Sequence, residues 1–466
     1  SGIKEIPAVF LCIPLALHYL CPQSYTLMKF KHIIFALICT LGSCIPLGAA
    51  SQPTHTKKAT VPHGFVTTDG THFMLNGKPY YFIGTNMWYA PILASEGCGG
   101  NRQRLQAELD ILCMLGVRNL RILAGADSGS KNANTVRPVL QDEHGNLNDT
   151  LLAGLDYLLM EMGRRDMKAV IYLTNSWDWS GGYGHYLNRT GHGHSPNASG
   201  EGYNAYVEYA SQFAHDAQAQ QLYLKHVERI VTRKNTYTDK PYSQDPTIMA
   251  WQICNEPRPF SKQGKSSFAT WISTTAALIK QHDPHHLVST GSEGLYGCET
   301  DTTFCTKLHA GSGIDYLTVH IWPVNWGWAR RTHTDTDIRE AIRHTEQYIR
   351  LHEQMARTIN KPYVIEEFGY PRDGHSYDPK QSTQSRDKLY SAIMRHVTQS
   401  HNRRGALAGC NFWGWGGIGR PTANDWQPGM DYLCDPPHEP QGWYSVFDTD
   451  DTTLRIIRDA ARKVSK

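Results

Sequence analysis

Charge imbalance is missing from this chain. Its 46 Lys and Arg residues face 43 Asp and Glu, a formal net charge of +3. That balance argues against the strong field of a nucleic-acid or membrane-surface binder. Metal-ligand spacing is missing among the eleven cysteines, and no metal or other cofactor is expected. A membrane-spanning apolar run is missing as well, since the run 33–41 is too short to cross a bilayer. What the chain does have is 40% hydrophobic residues, enough for a packed core, and 12 Trp with 24 Tyr. Many of these rings lie near Gly and Asn in loop-like stretches. Flat exposed rings suit the apolar faces of sugars, although a core role is the alternative for any single one. With 466 residues, one large α/β barrel or two to three average domains are open.

The first 50 residues read as outside the fold. Segment 1–27 has the look of an upstream, non-native stretch. From Met28 the order is basic Lys29 and Lys31, the apolar run 33–41, then small residues, the layout of a signal peptide over 28–50. Cleavage after Ala50 is one expectation. The other is lipidation at Cys44, because Leu41-Gly42-Ser43-Cys44 resembles a lipobox. Either way the product is expected to be exported, as a secreted protein or at a bacterial cell surface or periplasm, with a lipid anchor in the second case. Segment 51–62 is polar and Pro-containing, a linker. Seven cysteines follow Cys44, an odd number. Cys298 and Cys305 flank a short polar loop and could pair in an oxidising compartment, while Cys113 and Cys254 read as buried thiols.

Asp69-Gly70 and Asn76-Gly77 punctuate short β-prone runs after Phe65, which predicts hairpins. Strand-like runs then recur at 80–84, 117–123, 169–173, 248–253, 287–291, 316–320, 363–367 and 409–413. Helical stretches lie between and after them at 104–115, 151–164, 205–233, 268–282, 337–359, 384–401 and 453–464. Eight strands in βα alternation fit a (β/α)8 TIM barrel over 63–466, with an N-terminal β-hairpin and long loops after strands 3 and 8. A doubly wound sheet would show the same alternation.

Two carboxylates decide between these. The run 248–253 ends at Asn255-Glu256-Pro257, and 363–367 ends at Glu367-Phe368-Gly369. Pro257 is expected to hold Glu256 extended and to stop the strand there. Asn-Glu-Pro alone reads equally as a polar turn. Two strand-end glutamates, on strands 4 and 7, are what glycoside hydrolysis needs, and about 5 Å between them marks a retaining enzyme. Since neighbours on a strand face opposite ways, only one of Glu366 and Glu367 is expected at the barrel mouth.

The longer strings RKNTYTDKPYSQDPTIMAWQICNEPRP, TVHIWPVNWGW, KPYVIEEFGYPRDG and EPQGWYSVFD resemble glycoside hydrolase family 5 β-mannanases, over essentially all of the chain from Phe65 onward. The resemblance implies Glu256 as acid/base and Glu367 as nucleophile. Glu256 is then expected to have a raised pKa, helped by the charge of Glu367. By the same resemblance Arg121 keeps the nucleophile ionised, Asn255 meets the sugar 2-hydroxyl, and His320 belongs to the active site. Trp413 is the floor under the scissile sugar, and Asn86, Trp88 and Trp177 are subsite walls. Arg258 contacts sugar on the leaving-group side. Trp322 departs from the family, in which Tyr is frequent there; an indole N–H can donate to a carboxylate but cannot accept. Trp326, Trp328, Trp415 and Trp443 line either cleft or core, and His185, His192 and His194 read as a solvated loop.

The expected activity is retaining endo-1,4-β-mannanase action on mannan, glucomannan or galactomannan by a monomer with no nucleic-acid partner. An exo-acting mannobiohydrolase or β-mannosidase, or an endoglucanase, keeps the fold and changes the specificity. A glycan-binding protein without catalysis is the alternative of another class.

Overall fold

The structure is a computed structural model and describes residues 63–129, 134–330 and 335–465. All of these belong to the unit Thr60–Lys466. The expected signal peptide, lipobox and linker lie outside the described residues.

Three antiparallel strands open the unit: β1 (Val66–Asp69), β2 (His72–Leu75) and β3 (Lys78–Pro79). Asn76 and Gly77 both have positive φ, as the tight turn between β2 and β3 requires. Eight parallel strands follow: β4 (Phe82–Asn86), β5 (Asn119–Leu123), β6 (Lys168–Tyr172), β7 (Ile248–Gln252), β8 (Leu287–Ser289), β9 (Leu317–Ile321), β10 (Tyr363–Phe368) and β11 (Leu407–Phe412). They form one sheet in the order β8-β7-β6-β5-β4-β11-β10-β9. The ends of that order meet where Asp315 N–H donates to Val288 O at 2.8 Å. Two short strands, β12 (Trp415–Gly417) and β13 (Val446–Phe447), pair in the loop after β11. The architecture is the (β/α)8 barrel, and each of the eight expected strands coincides with one of β4 to β11.

The helices are α1 (Ala90–Ala94), α2 (Arg102–Leu115), α3 (Asp149–Gly163), α4 (Tyr183–Arg189), α5 (Tyr203–Ala210), α6 (Ala217–Val231), α7 (Lys265–His282), α8 (Thr302–Ala310), α9 (Asp335–Ile359), α10 (Gln384–Arg403) and α11 (Asp451–Val464). α3 shows why they form. Asn148 caps it by accepting from the Thr150 and Leu151 N–H groups, and Leu151, Leu155, Leu158, Leu159 and Met162 bury one face at helical spacing. The single helix expected over 205–233 is instead two, α5 and α6, joined by a 3-10 turn. Asp216 accepts from Gln218 and Ala219 N–H and so starts a new helix. No helix among the described residues is long and apolar enough to cross a membrane.

The N-terminal strands close one end of the barrel. Val66 and Phe73 pack with Phe82, Val170, Ala250, Val364 and Ala408 in one buried cluster, and Phe73 meets Tyr316 edge-on at 5.2 Å. The opposite end, where the strands' C-termini lie, is left to the loops.

Candidate active site

Glu256 and Glu367 meet at that open end. Four residues beyond Gln252, Glu256 sits in a loop tied on both sides: Asn255 N–H donates to Thr174 O at 2.8 Å, and Glu256 N–H to Gly291 O at 2.9 Å. Its backbone is not extended, as the following proline suggested. φ is +49°, in the left-handed region where local strain is held by surrounding bonds. One carboxylate oxygen accepts the Trp177 indole N–H at 2.6 Å, and the other lies 2.7 Å from His320 Nδ1. Glu367 accepts Arg121 Nη1 at 2.5 Å and lies 3.2 Å from the same His320 Nδ1. An oxygen of each carboxylate and a ring nitrogen of His320 all fall within 4.8 Å of one another. The two acids are 9% and 3% exposed.

Arg121, wholly buried on β5, holds this arrangement together. Its Nε donates to Gln252 Oε1 (2.8 Å), Nη1 also to Asn86 Oδ1 (3.1 Å), and Nη2 to Asn255 Oδ1 (2.8 Å). Its guanidinium stacks 4.6 Å from the Tyr172 ring centre. Contrary to simple alternation, Glu366 points inward as well. The β9–β10 register shifts between Ile365 and Glu367, a bulge that turns both carboxylates to one side. Glu366 accepts from Gln252 Nε2 (2.5 Å) and Tyr316 OH (3.1 Å), and lies 3.7 Å from Arg121 Nε. It sits below the mouth, behind Glu367. Burial pushes its carboxyl up, and Arg121 is the main influence opposing that.

The electrostatics differ from expectation at Glu256. Burial alone would raise its pKa, but the bond and charge of His320, the charge of Arg258 and the Trp177 bond hold it below the usual carboxylate range. The charged form is favoured on His320 instead. Burial opposes a charged imidazole, yet the charge of Glu367 and the bond to Glu256 lift it to about 9. His320 Nε2 is buried without a partner. His320 thus stands between the two acids as their shared partner, with the charged form of its ring favoured there.

The remaining expected residues divide. Trp413 and Trp322 stand edge to face at 5.9 Å, and Tyr444 touches Trp322 at 5.0 Å. Gly369 makes room for them, since a Cβ there would sit 2.8 Å from Tyr444 and 2.9 Å from Trp322. Trp177 is half-buried and bonded to Glu256, closer to the chemistry than a wall. Arg258 forms a two-pronged pair with Glu293 at 2.5 and 2.6 Å and lies 5.4 Å over Trp177. Asn86 is fully buried beneath Arg121 and gives Nδ2 to Glu366 O at 2.7 Å, so it supports the site from below. Trp88 is 1% exposed and donates to Cys434 O, which places it behind Trp179 and not on a wall. Trp415 is core, bonded to Glu108. Trp326 and Trp328 join Tyr296 and Tyr348 in a half-buried aromatic group. His185 is buried, not solvated.

Two carboxylates escaped the sequence reading. Glu293, four residues past β8, is buried; burial, opposed by Arg258 and reinforced by Glu256, raises it to about 7. Its signal was a further glutamate just beyond a strand end. Glu439 comes from the loop after β11. Burial and the charges of Asp435, Glu367 and Glu256 push it well up, and its Oε2 has no partner. Beside it His438 stacks on Trp179 at 6.1 Å and 13°.

A family model described as "GH family 5 beta-mannosidase-like" matches residues 63–466. The crystal structure of the glycoside hydrolase family 5 mannosidase from Rhizomucor miehei is 34% identical, with a TM-score of 0.79 over 86% of this chain and 98% of that one. A variant of that mannosidase in complex with mannosyl-fructose superposes with a TM-score of 0.80 at 33% identity, over 86% and 97%. The mannan endo-1,4-beta-mannosidase 1 of Oryza sativa subsp. japonica is 29% identical over 86% of both chains.

Proposed function

The chain belongs to the glycoside hydrolase family 5 β-mannosidase-like family, and from that premise we propose that it is a retaining endo-1,4-β-mannanase. The observation that carries the mechanism is the pair of buried carboxylates with oxygens within 4.8 Å, bridged by one imidazole. That spacing suits direct attack and leaves too little room for the water of an inverting enzyme. Glu367, held in place by Arg121, attacks C1 of the mannosyl unit as the bond from C1 to the leaving oxygen breaks. Glu256 gives that oxygen its proton. In the resting site this proton lies on His320, 2.7 Å from Glu256. Esterification of Glu367 removes the largest attraction holding it on the ring. In the second half Glu256 takes a proton from water, whose oxygen displaces Glu367 from C1 and restores the original configuration, and Glu256 returns that proton to His320, closing the cycle. Trp413 and Trp322 supply the apolar floor, and Arg258 reaches the leaving-group side.

One observation favours exo action as a second reading. The loops after β6 and β11 touch where His438 stacks on Trp179. The unpartnered Glu439 oxygen nearby offers an acceptor to the hydroxyls of a terminal sugar. Products of mannohexaose in the first minutes separate the two. A spread of mannobiose, mannotriose and mannotetraose supports the endo reading; a single short sugar from the start rejects it. Export, with cleavage after Ala50 or lipidation at Cys44, and a monomeric state remain part of the proposal. The N-terminal peptide mass of the natural product and light scattering test them.

A further inference from the structure

A second reactive cluster lies in the turn after β8. Cys298 ends the 3-10 turn Tyr296–Cys298, and Cys305 stands in the first turns of α8. Both are fully buried thiols. Their sulfurs and a ring nitrogen of His309 all lie within 4.8 Å of one another. Backbone bonds hold the intervening turn: Thr300 N–H to Leu295 O (3.0 Å), Asp301 N–H to Cys298 O (3.1 Å) and Cys305 N–H to Asp301 O (2.9 Å). Glu299 and Thr300 both take positive φ to make it.

A metal does not fit this cluster. His309 already uses Nδ1 on Cys305 O (2.8 Å) and Nε2 on Thr290 Oγ1 (3.0 Å). His352, on the facing helix, uses Nδ1 on Tyr348 O (2.8 Å) and Nε2 on Leu295 N–H (3.0 Å). An ion would find two sulfurs and no free imidazole nitrogen, short of the four ligands a structural site needs. Two sulfurs need nothing further to bond to each other. We propose that Cys298 and Cys305 are a covalent modification site, oxidised to a disulfide that staples the turn after β8. Two S–H bonds break and one S–S bond forms. Two protons and two electrons pass to a small-molecule disulfide such as oxidised glutathione, which becomes two thiols. A hydrogen bond from Cys298 and the nearby His309 hold Cys305 well below the usual thiol range despite burial, which makes it the attacking sulfur.

The staple acts on the cleft through its own turn. Glu293, which clamps Arg258, and Tyr296, which stacks on Trp326 at 4.1 Å, both precede Cys298. Tyr348 ties them together, its hydroxyl donating to Glu293 O and accepting from Tyr296 N–H. A fixed turn thus holds the leaving-group side, a consequence that rests on the proposed function.

The test uses the full chain produced in an oxidising compartment, alkylated in denaturant without reduction and digested with trypsin. No Lys or Arg lies between 281 and 306, so both cysteines fall in peptide 281–307. The expected peptide is unalkylated, two hydrogens lighter, and takes two alkyl groups only after reduction. Alkylation of both cysteines without reduction overturns the proposal, as does linkage of either to another cysteine such as the exposed Cys98. A thermal scan provides the second arm. Reduction lowers the wild-type midpoint, while the Cys298→Ala/Cys305→Ala variant starts at the reduced value and ignores the reductant; an equal fall in both proteins contradicts the staple. Reduction is also expected to raise KM several-fold for long oligomannosides at unchanged kcat. The peptide mass does not depend on activity, so a wrong substrate and a missing disulfide remain distinguishable.

Discussion

Glu367→Gln tests whether the resting proton resides on His320. In the wild type that imidazole is raised from 6.5 to about 9. At roughly 1.4 kcal/mol per pKa unit this is about 3 kcal/mol of preference for the charged ring in the folded state. Because the folded value lies above the unfolded one, this stability is fully present below pH 6.5 and is lost as pH climbs through about 9. The charge of Glu367 is the largest attraction sustaining it, and burial opposes it. With that charge gone the folded value moves down toward 6.5, so the loss still begins near pH 6.5 but ends at lower pH and its amplitude shrinks. Urea midpoints measured between pH 6 and 9.5 for the wild type, Glu367→Gln and His320→Asn give the comparison. The wild type is expected to lose the most across this window and His320→Asn the least, with titrations common to all three cancelling in the differences. Superimposable pH slopes for the wild type and Glu367→Gln would falsify the assignment.

Three further perturbations follow from particular contacts. Gly369→Ala drives a methyl into Tyr444 and Trp322 at under 3 Å. Overpacking of this kind costs about 1–3 kcal/mol, so the thermal midpoint should fall and kcat/KM should drop more than tenfold as the Trp413 floor shifts. Glu366→Ala strips the buried Tyr316 hydroxyl of its acceptor and takes one from the Gln252 amide, which keeps Ser289 Oγ. The expected loss is about 1–3 kcal/mol in urea unfolding, and a loss under about 0.5 kcal/mol, the scale of surface changes, would place the side chain outside the barrel. Glu293→Ala leaves the Arg258 charge unpaired. KM for substrates extending on the leaving-group side should rise, with kcat on a simple aryl mannoside little changed, as initial rates would reveal.

The barrel was legible because β4 to β11 are short β-prone runs bounded by breakers, and because Glu256 lies shortly past the end of β7 and Glu367 in the last two residues of β10. The side of the strand was less legible. Alternation allowed one inward carboxylate in Glu366-Glu367, and a bulge, which depends on the facing strand β9, admitted both. Asp216 could have announced the break between α5 and α6, since an Asp before a helical run is a capping signal. The raised pKa expected at Glu256 considered its acid/base role and the charge of Glu367 only; the imidazole bridging both carboxylates is a three-dimensional fact. Trp88 and Glu439 illustrate the remainder. A ring just past β4 reads as a wall until Trp179 and Tyr432 are seen to cover it. A glutamate in a long loop carries no sign of where that loop folds back.

The most direct test of the account is to trap the covalent sugar. A 2-deoxy-2-fluoro-β-mannosyl fluoride slows the release of the glycosyl-enzyme, and fragmentation of the labelled peptide locates the ester. The mechanism predicts one mannosyl unit on Glu367, its absence in Glu367→Gln, and a first-formed product of β configuration. A label on Glu366 or Glu256, or a first product of inverted configuration with no label, would contradict it.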